Sequence, residues 1–396
     1  MNTLSNYSFA GRRAVVRVDF NVPLDKDRRI TDDTRIRAAT PTIKKILGDG
    51  GSVVLLSHLG RPKGGYEQKF SLDSLVARLG QEYGQEVLWG GDVLSDEALA
   101  KAKALQPGQV LLLDNVRFHA EEEAGDEAFA QRLAQLGEVY VNDAFGAAHR
   151  RHASTAVMAH SFAPENRVAG FLLQGELDNA AKVLDHPERP FTAIMGGAKI
   201  SDKILIIEKL LDKVDTLLIG GGMAYTFAVA EGGTVGSSLL EADKVELAKS
   251  LIEKAKEKGV KLVLPGDSLI ADRFANDANV DVAANEAIPV GWMGLDLGPD
   301  AREEFAAIIH QSKTILWNGP MGVFEMSNFS LGTEYVARAI AEATEAGAYS
   351  LIGGGDSAAA VQQLGFGDRV SYISTGGGAL LEFMEGKELP GVAALG

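Results

Sequence analysis

The sequence predicts an α/β protein made of two Rossmann-like, three-layer α/β/α domains with parallel sheets, joined by a helix. Short runs of Val, Ile and Leu alternate with amphipathic segments throughout the 396 residues. This alternation is typical of parallel strands whose connecting helices cover both faces of a sheet. The two halves also differ in charge. Residues 1–173 carry 21 Lys and Arg against 22 Asp and Glu, whereas residues 174–396 carry 18 against 32.

The first half predicts four strands that alternate with four helices. β-Branched residues and leucines dominate the strands, which are expected at 14–19, 52–57, 110–115 and 138–143. The helices are expected at about 35–47, 72–83, 95–104 and 126–136. In the last helix Phe129, Leu133 and Leu136 recur at helical spacing and form an apolar stripe. Pro41 is expected to start or kink the first helix.

The second half predicts six strands, and glycine clusters follow four of them. The strands are the runs FTAIM, DTLLI, KLVLP, KTILW, YSLIG and VSYIS. The clusters are Gly196–Gly197, Gly220–Gly222, Gly353–Gly355 and Gly376–Gly378. A helix-like pattern follows each cluster, and a helix start that lacks Cβ atoms exposes backbone N–H groups to an anion. Four such junctions predict a surface that binds phosphates.

A connecting helix is predicted over 173–190, ending at Pro187, because the charge balance changes there. We therefore expect a first domain over 1–173 and a second domain over 174–383. The segment 384–396 ends in apolar residues, so it is expected to pack back on the first domain.

Composition excludes several classes of protein. The chain contains no cysteine, which rules out disulfides, thiolate catalysis and cysteine-ligated metals. The net charge is −15 without any basic run, which disfavours binding to nucleic acids or anionic membranes. The N-terminal residues lack the pattern of a signal peptide, and no apolar run reaches the roughly 18 residues of a membrane span. We therefore expect a cytoplasmic protein.

Arginines and histidines follow the strands of the first half and form a predicted cation set. Ligands of open α/β sheets bind beyond the carboxyl ends of strands, and guanidinium groups bind phosphate or carboxylate through paired hydrogen bonds. A lone arginine is better explained by pairing with a surface acid, but recurrence at equivalent strand ends favours a site for a small polyanion. The residues at these positions are Asp19, Asn21, Arg35, Arg37, His58, Arg61, Arg117, His149, Arg150, Arg151 and His152.

Asp19 is the one acid in this set, and it either orients an arginine or accepts a ligand hydroxyl. His119 follows Arg117 closely but belongs to HAEEE, residues 119–123, which is typical of a solvated surface. We therefore leave His119 outside the predicted site.

Candidate nucleotide contacts lie beside the glycine clusters. Neither GxxxxGK(S/T) nor GxGxxG occurs, so the common nucleotide motifs give no support. Lys199 and Lys203 come after the first cluster, four residues apart, and are expected on one helical face. A lysine there can stay in contact with a phosphate while it is transferred. Asp356 follows the third cluster and either holds Mg²⁺ against phosphates or simply caps a helix. Asn318 and Glu325 lie in the turn WNGPMGVFE, and Glu325 is a candidate acceptor for ribose hydroxyls.

Nine segments resemble the phosphoglycerate kinase family, in the same order and over essentially the whole chain. They are VRVDFNVPL, SHLGRP, LLLDNVRFHAEEE, NDAFG…HR, MGGAKISDKI, LIGGGMAYTF, WNGPMGVFE, GGGDSAAA and STGGGA. The resemblance implies an N-terminal domain for 3-phosphoglycerate, a C-terminal domain for Mg-ADP or Mg-ATP, and closure about a hinge. It also implies reversible transfer of the acyl phosphate of 1,3-bisphosphoglycerate to ADP, in glycolysis, usually by a monomer.

The resemblance further implies roles for individual residues. The phosphoglycerate contacts would be Asp19, Asn21, Arg35, His58, Arg61, Arg117 and Arg150. The nucleotide contacts would be Lys203, Gly221, Gly222, Gly294, Asn318, Glu325, Gly354, Gly355, Asp356 and Ser357, with Asp356 nearest the metal. The groups that act on the phosphoryl group would be Arg35, Lys199, Lys203, Gly377 and Gly378. Two residues depart from the family pattern, which commonly has Thr or Ser at Ala147 and a small residue at Arg151; Arg151 is expected to face solvent.

A carboxylate that attacks a phosphate is already ionised near pH 7, so the implied reaction needs no general base. Positioning and charge stabilisation then have to lower the barrier. Two alternatives stay open from the residues alone. A non-catalytic two-lobed anion-binding protein would need the cation set without Lys199, Lys203 and Asp356. A different carboxylate kinase is also possible, because arginines recognise charge and not a carbon skeleton.

Overall fold

The computed structural model describes residues 1–396, which divide into two compact units. Unit 1 comprises Met1–Asp178 and Lys387–Gly396, and unit 2 comprises Asn179–Gly386. Each unit is built around a parallel sheet with connecting helices, so the predicted α/β class is confirmed. None of the helices is both long enough and apolar enough to cross a membrane.

Unit 1 contains a seven-stranded sheet in which every neighbouring pair is parallel. Its strands are β1 (Asn2–Thr3), β2 (Arg13–Val18), β3 (Ser52–Leu56), β4 (Val87–Trp89), β5 (Val110–Leu112), β6 (Val139–Asp143) and β7 (Arg167–Ala169). Its helices are α1 (Thr34–Gly48), α2 (Val76–Tyr83), α3 (Asp96–Ala104), α4 (Ala120–Ala124), α5 (Glu127–Ala134) and the first part of α6 (Phe171–Leu184). The strand order is β1-β7-β6-β2-β3-β5-β4.

Four central strands of this sheet position the predicted polyanion site. β6, β2, β3 and β5 are adjacent and parallel, so their carboxyl ends lie together at one edge. Nearly all residues of these strands are buried. Strands of a sheet covered on both faces are continuously apolar, which explains why the sequence predicted these four. β1 and β4, which it did not predict, are only partly buried.

Unit 2 contains a six-stranded parallel sheet and two smaller sheets. Its strands are β8 (Phe191–Met195), β9 (Thr216–Ile219), β10 (Thr234–Val235), β11 (Lys261–Val263), β12 (Asp267–Ala271), β13 (Val280–Ala284), β14 (Ala287–Ile288), β15 (Met293–Leu297), β16 (Thr314–Asn318), β17 (Tyr349–Gly353) and β18 (Tyr372–Ile373). Its helices are α7 (Ile204–Leu210), α8 (Met223–Ala230), α9 (Val245–Glu257), α10 (Pro299–His310), α11 (Leu331–Glu345), α12 (Gly355–Gln363) and α13 (Gly378–Met384), besides the end of α6. The large sheet has the order β11-β9-β8-β16-β17-β18.

The sequence analysis missed the smaller sheets of unit 2. β13, β12 and β15 form a three-stranded antiparallel sheet, and β10 pairs with β14. β13 is almost entirely exposed, so its residues VDVAA carry no buried apolar run. β10 and β14 have two residues each, which is too short for any periodic signal.

α6 continues from unit 1 into unit 2 and ends at Leu184, so the prediction that it ends at Pro187 is wrong by one turn. A proline disfavours helical backbone at the residue before it, so a helix usually ends before the proline is reached. At its start, Asp143 Oδ1 accepts from the backbone N–H groups of Leu172 and Leu173, at 2.9 and 3.2 Å. Thr42 Oγ1 accepts from the N–H of Phe171 at 3.0 Å.

Pro41 lies inside α1, seven residues after the first residue of that helix, so it does not start the helix.

The C-terminal tail Lys387–Gly396, with the short helix α14 (Pro390–Ala393), belongs to unit 1. Gly391 N–H donates to Ala148 O at 2.8 Å, and a Cβ on Gly391 would lie 2.9 Å from Ala148 Cα.

Candidate functional site

The loop after β2 holds Asp19 and Asn21. Asp19 accepts from Arg35 Nη1 at 2.6 Å and from the N–H of Asn21 at 3.1 Å. Burial would raise the pKa of Asp19, but His58 and the arginines around it hold that pKa below its ordinary value. Asn21 Oδ1 accepts from the N–H of Gly60 at 2.8 Å, which joins the loops after β2 and β3. Of the two roles predicted for Asp19, orienting an arginine or accepting a ligand hydroxyl, the structure shows the first, with Arg35 as the arginine.

His58, directly after β3, is buried and neutral. Burial lowers its pKa to about 3, against the opposing effect of Asp19; the other groups that lower it are Arg17, Arg117 and Arg35. His58 Nδ1 lies 3.1 Å from Arg17 Nη2. Because a guanidinium only donates, Nδ1 is the acceptor and Nε2 carries the proton. The assignment of His58 to the cation set is therefore wrong at neutral pH, where it is an uncharged hydrogen-bonding group.

The remaining arginines of the predicted site differ in burial. Arg117 follows β5, its side chain is 13% exposed, and its Nη1 donates to Gly60 O at 3.2 Å. Its Nε has no hydrogen-bond partner but forms an ion pair with Glu123 Oε1 at 3.6 Å. Arg61 and Arg150 are exposed, and neither guanidinium forms a hydrogen bond or ion pair. The guanidinium groups of Arg61 and Arg150 are therefore free to bind an anion.

His152 lies close enough to three arginines for their charges to act on it. Burial lowers the pKa of His152 to about 4, and Arg117, Arg17 and Arg150 act in the same direction. The structure thus brings the ends of β2, β3, β5 and the segment after β6 together. Arg37 lies outside this group, since it pairs with Asp33 at 2.8 Å. Arg151 is exposed.

The sequence analysis did not single out a buried charged network behind the cluster. Arg17, within β2, is fully buried and donates to Val18 O and, at 2.7 Å, to Ser154 Oγ. Glu122 is fully buried and accepts from the N–H of Ser154 at 2.9 Å. Burial raises the pKa of Glu122, against the opposing effect of Arg17. The interpretation of HAEEE as a solvated surface is therefore wrong for Glu122. Arg17 could have been found from the sequence, because it is a charged residue inside the otherwise apolar strand AVVRVD.

A cavity of about 510 Å³ in unit 2 lies among the glycine clusters after β8 and β9. Five predicted nucleotide contacts line it: Gly221, Gly222, Gly294, Glu325 and Asp356. A Cβ on Gly221 would lie 2.5 Å from Gly197 O, and one on Gly294 would lie 2.0 Å from Tyr225 Oη. The loops can approach this closely only because these positions lack side chains.

The other predicted nucleotide residues lie at the adjacent ends of β16 and β17. Lys203 Nζ donates to Asn318 Oδ1, and burial lowers the pKa of Lys203 against the effect of Asp202 and Asp356. Ser357 Oγ accepts from Gly319 N–H at 2.7 Å. Gly354, with a φ of 90°, caps α12, and Asp356 lies exposed in the first turn. The alternative that Asp356 is the N-cap is therefore wrong.

Lys199 and the last glycine cluster complete the predicted set in unit 2. Lys199 is exposed and extended, and α7 begins only at Ile204. The prediction that Lys199 and Lys203 share a helical face is therefore wrong. Gly377 has a φ of 47° and is followed by α13, which begins at Gly378.

Comparison with known proteins identifies the family. A family model described as phosphoglycerate kinase matches residues 4–387. Phosphoglycerate kinase 3, cytosolic, of Arabidopsis thaliana is 56% identical over 395 residues, covering 100% of this chain and 98% of that protein. The chain belongs to the phosphoglycerate kinase family.

Other phosphoglycerate kinases agree in sequence and structure. That of Porphyromonas gingivalis is 51% identical over 416 residues, covering 99% of both proteins. The solved phosphoglycerate kinase structure from Coxiella burnetii has a TM-score of 0.89 at 41% identity, covering 99% of this chain and 98% of that one. The one from Pyrococcus horikoshii has a TM-score of 0.81 at 30% identity, covering 100% of this chain and 98% of that one.

As a phosphoglycerate kinase, this chain is a glycolytic phosphotransferase. It catalyses the reversible transfer of a phosphoryl group between 1,3-bisphosphoglycerate with ADP and 3-phosphoglycerate with ATP. The predicted family, activity and reaction are confirmed, and both alternatives from the residues alone are excluded. Phosphoglycerate kinases use a magnesium nucleotide, and no group of three or more His, Cys, Asp or Glu side chains here could hold a metal.

Proposed function

We propose that the strand-end residues of unit 1 bind 3-phosphoglycerate or 1,3-bisphosphoglycerate, within the domain predicted over 1–173. One observation carries this assignment: Arg61 and Arg150 present unpaired guanidinium groups beside arginines already held by protein partners. The neutral His58 supplies an Nε2–H donor in the same cluster. The proposed substrate contacts are Asp19, Asn21, Arg35, His58, Arg61, Arg117 and Arg150.

We further propose that the cavity of unit 2 binds Mg-ADP or Mg-ATP, within the domain predicted over 174–383. Close-packed glycines leave room for phosphates near backbone N–H groups, and Glu325 is suited to accept from ribose hydroxyls. Asp356 is an exposed carboxylate at the cavity, and Mg²⁺ is commonly bound by one or two carboxylates together with nucleotide phosphates. The proposed contacts are Lys203, Gly221, Gly222, Gly294, Asn318, Glu325, Gly354, Gly355, Asp356 and Ser357.

The proposed mechanism needs charge stabilisation and no general base. In the direction of ATP synthesis, the bond between phosphorus and the acyl oxygen breaks while a β-phosphate oxygen of ADP bonds to phosphorus. The carboxylate leaves already ionised. Asp356 would hold Mg²⁺ when the nucleotide is bound, and the ion would supply positive charge to neutralise the phosphates. Arg35, Lys199 and Lys203 stabilise the oxygens of the transferred group, with the N–H groups of Gly377 and Gly378.

This mechanism requires both units at one phosphoryl group, because Arg35 belongs to unit 1 and Lys199 to unit 2. We therefore propose that substrates bind separately and that closure about a hinge then excludes water. We also propose that the enzyme is cytoplasmic and acts as a monomer without nucleic acid or membrane partners. The net charge of −15 without a basic run supports the absence of such partners.

The division of labour between the units is tested by calorimetric titration of each substrate alone. Arg61→Ala should weaken 3-phosphoglycerate binding about tenfold or more, because it removes a charge-assisted contact, and should leave Mg-ADP binding unchanged. Asp356→Ala should show the reverse pattern. Arg37→Ala is the matched control, since Arg37 lies near Arg35 on α1 but pairs with Asp33. Equal loss of both substrates in either variant would refute the division.

A further inference from the structure

A second cleft in unit 2 has no part in the proposed reaction. It encloses about 640 Å³ between the end of α8, one face of α9, the loop after β11 and the turn between β13 and β14. It shares no lining residue with the nucleotide cavity. We propose that this cleft binds a small zwitterion of the α-amino-acid class.

Charged side chains of both signs line the cleft without neutralising one another. Lys249 and Lys256 lie seven residues apart on α9, and therefore on one face. Lys249 pairs with Glu246 at 2.9 Å, outside the cleft, and Lys256 forms no ion pair. Glu231, Glu253 and Glu286 also line the cleft and form none. A ligand that carries both an ammonium and a carboxylate can pair with both sets.

Asn285 supplies an independent sign that the cleft accepts a ligand. Its side chain is buried, with the residue 5% exposed, and its Oδ1 accepts from Ser268 Oγ. Its Nδ2 has no hydrogen-bond partner. A desolvated donor without an acceptor is unfavourable, and a carboxylate held by Lys256 would be a suitable acceptor. The uncharged part of the cleft, formed by Ala228, Ile252 and Pro265, gives room for an apolar side chain.

Hydrogen bonds join this cleft to the nucleotide cavity. Ser268 Oγ, which donates to Asn285, lies 3.0 Å from Tyr225 Oη, and Tyr225 lines the nucleotide cavity. A ligand at Asn285 should therefore change ADP affinity, and ADP should change the ligand's affinity by the same factor. This coupling rests on the proposed nucleotide site, whereas binding at the cleft does not.

The cleft is tested by calorimetry of the full-length protein with L-alanine, L-valine, L-leucine and L-methionine, up to about 10 mM, well above a millimolar Kd. At least one should bind. For leucine, the single-charge analogues 4-methylpentanoate and 3-methylbutylamine should bind about tenfold more weakly or not at all, because each loses one charged contact. Absence of binding by all four amino acids would overturn the proposal.

Variants locate the binding. Lys256→Ala and Asn285→Asp should each weaken it about tenfold; Asp keeps an acceptor for Ser268 but repels a carboxylate. Lys258→Ala is the control, because Lys258 pairs with Asp212 and does not line the cleft. Binding that is unchanged in both cleft variants would overturn the proposal. Turnover without amino acid should be normal in Lys256→Ala, which lies outside this hydrogen-bond chain, so a failure here is distinct from failure of the Arg61 and Asp356 titrations.

Discussion

Arg35 and Lys199 differ in what holds them before substrates arrive. Arg35 is oriented by Asp19 at 2.6 Å, whereas Lys199 is exposed and forms no ion pair. Both are proposed to stabilise charge that develops on the transferred phosphoryl group. The pairing with Asp19 makes Arg35 preorganised for this task, whereas Lys199 has to become ordered during the reaction.

Replacing either residue by alanine should therefore affect turnover more than binding. We expect Arg35→Ala and Lys199→Ala to lower kcat roughly 10²–10³-fold, the usual cost of losing one transition-state donor. The Kd of each substrate alone should change much less. Steady-state kinetics with separate calorimetric titrations measure both quantities. An unchanged kcat with a raised KM would assign these residues to ground-state binding.

The neutrality of His58 predicts how stability depends on pH. Its pKa is about 3 in the folded protein, mainly because of burial, against about 6.5 in an unfolded chain. Between these values only the unfolded chain gains the proton, so the folded state loses stability as the pH falls from about 6.5 towards 3.

Urea unfolding at several pH values within this range should show a shallower loss of stability for His58→Gln than for the unsubstituted protein. His160→Gln, at an exposed position, should follow the unsubstituted protein and serves as the control. Parallel curves for His58→Gln and the unsubstituted protein would show that His58 has the same pKa in the folded and unfolded states.

At the scale of single elements, the start of α6 depends on side chains from two other elements. Thr42 of α1 and Asp143 of β6 accept its first N–H groups, which no residue within the helix can do. Gly170 precedes the helix at a position where a Cβ would lie 2.0 Å from Asp143 Oδ1. The connection between the units thus begins at a fixed point in unit 1.

Thr42→Val should destabilise the protein by about 1–3 kcal/mol, because the partly buried N–H of Phe171 loses its acceptor while the side-chain shape is retained. Chemical unfolding measures the change. Thr31→Val removes an exposed hydroxyl and should cost less than about 0.5 kcal/mol. Equal effects of the two substitutions would show that the cap at Phe171 contributes nothing.

The elements that the sequence predicted share one physical property. β2, β3, β6 and β8 are buried throughout or nearly so, and burial on both faces leaves a continuous apolar run. β13 is exposed and β10 is two residues long, so neither leaves such a run. The network of Arg17, Ser154 and Glu122 was missed for another reason: its hydrogen bonds join residues 137 and 32 positions apart, which local patterns do not encode.

At the scale of the whole molecule, the two units are proposed to bind anions by different means. The first half is nearly neutral and offers guanidinium groups, whereas residues 174–396 carry 18 Lys and Arg against 32 Asp and Glu. We therefore propose that the second half binds phosphates mainly through backbone N–H groups and Mg²⁺. The strand-end positions of both sets were predictable because parallel strands end at one edge. Charge states such as that of His58 were not, because they depend on burial.

Closure about the hinge predicts a change in shape that requires both substrates. Small-angle scattering should give a smaller radius of gyration with 3-phosphoglycerate and Mg-ADP together than with either one or neither. This pair cannot react, so the bound state persists during measurement. A radius of gyration that stays the same in all four samples would contradict closure.

The hydrogen bond from Gly391 to Ala148 has a consequence for the order of folding. Unit 2 is one uninterrupted segment, but unit 1 includes Lys387–Gly396, which the ribosome makes after all of unit 2. During synthesis, unit 2 can acquire every one of its own residues while unit 1 still lacks its last piece. The domain that is translated first is therefore the one that is completed last.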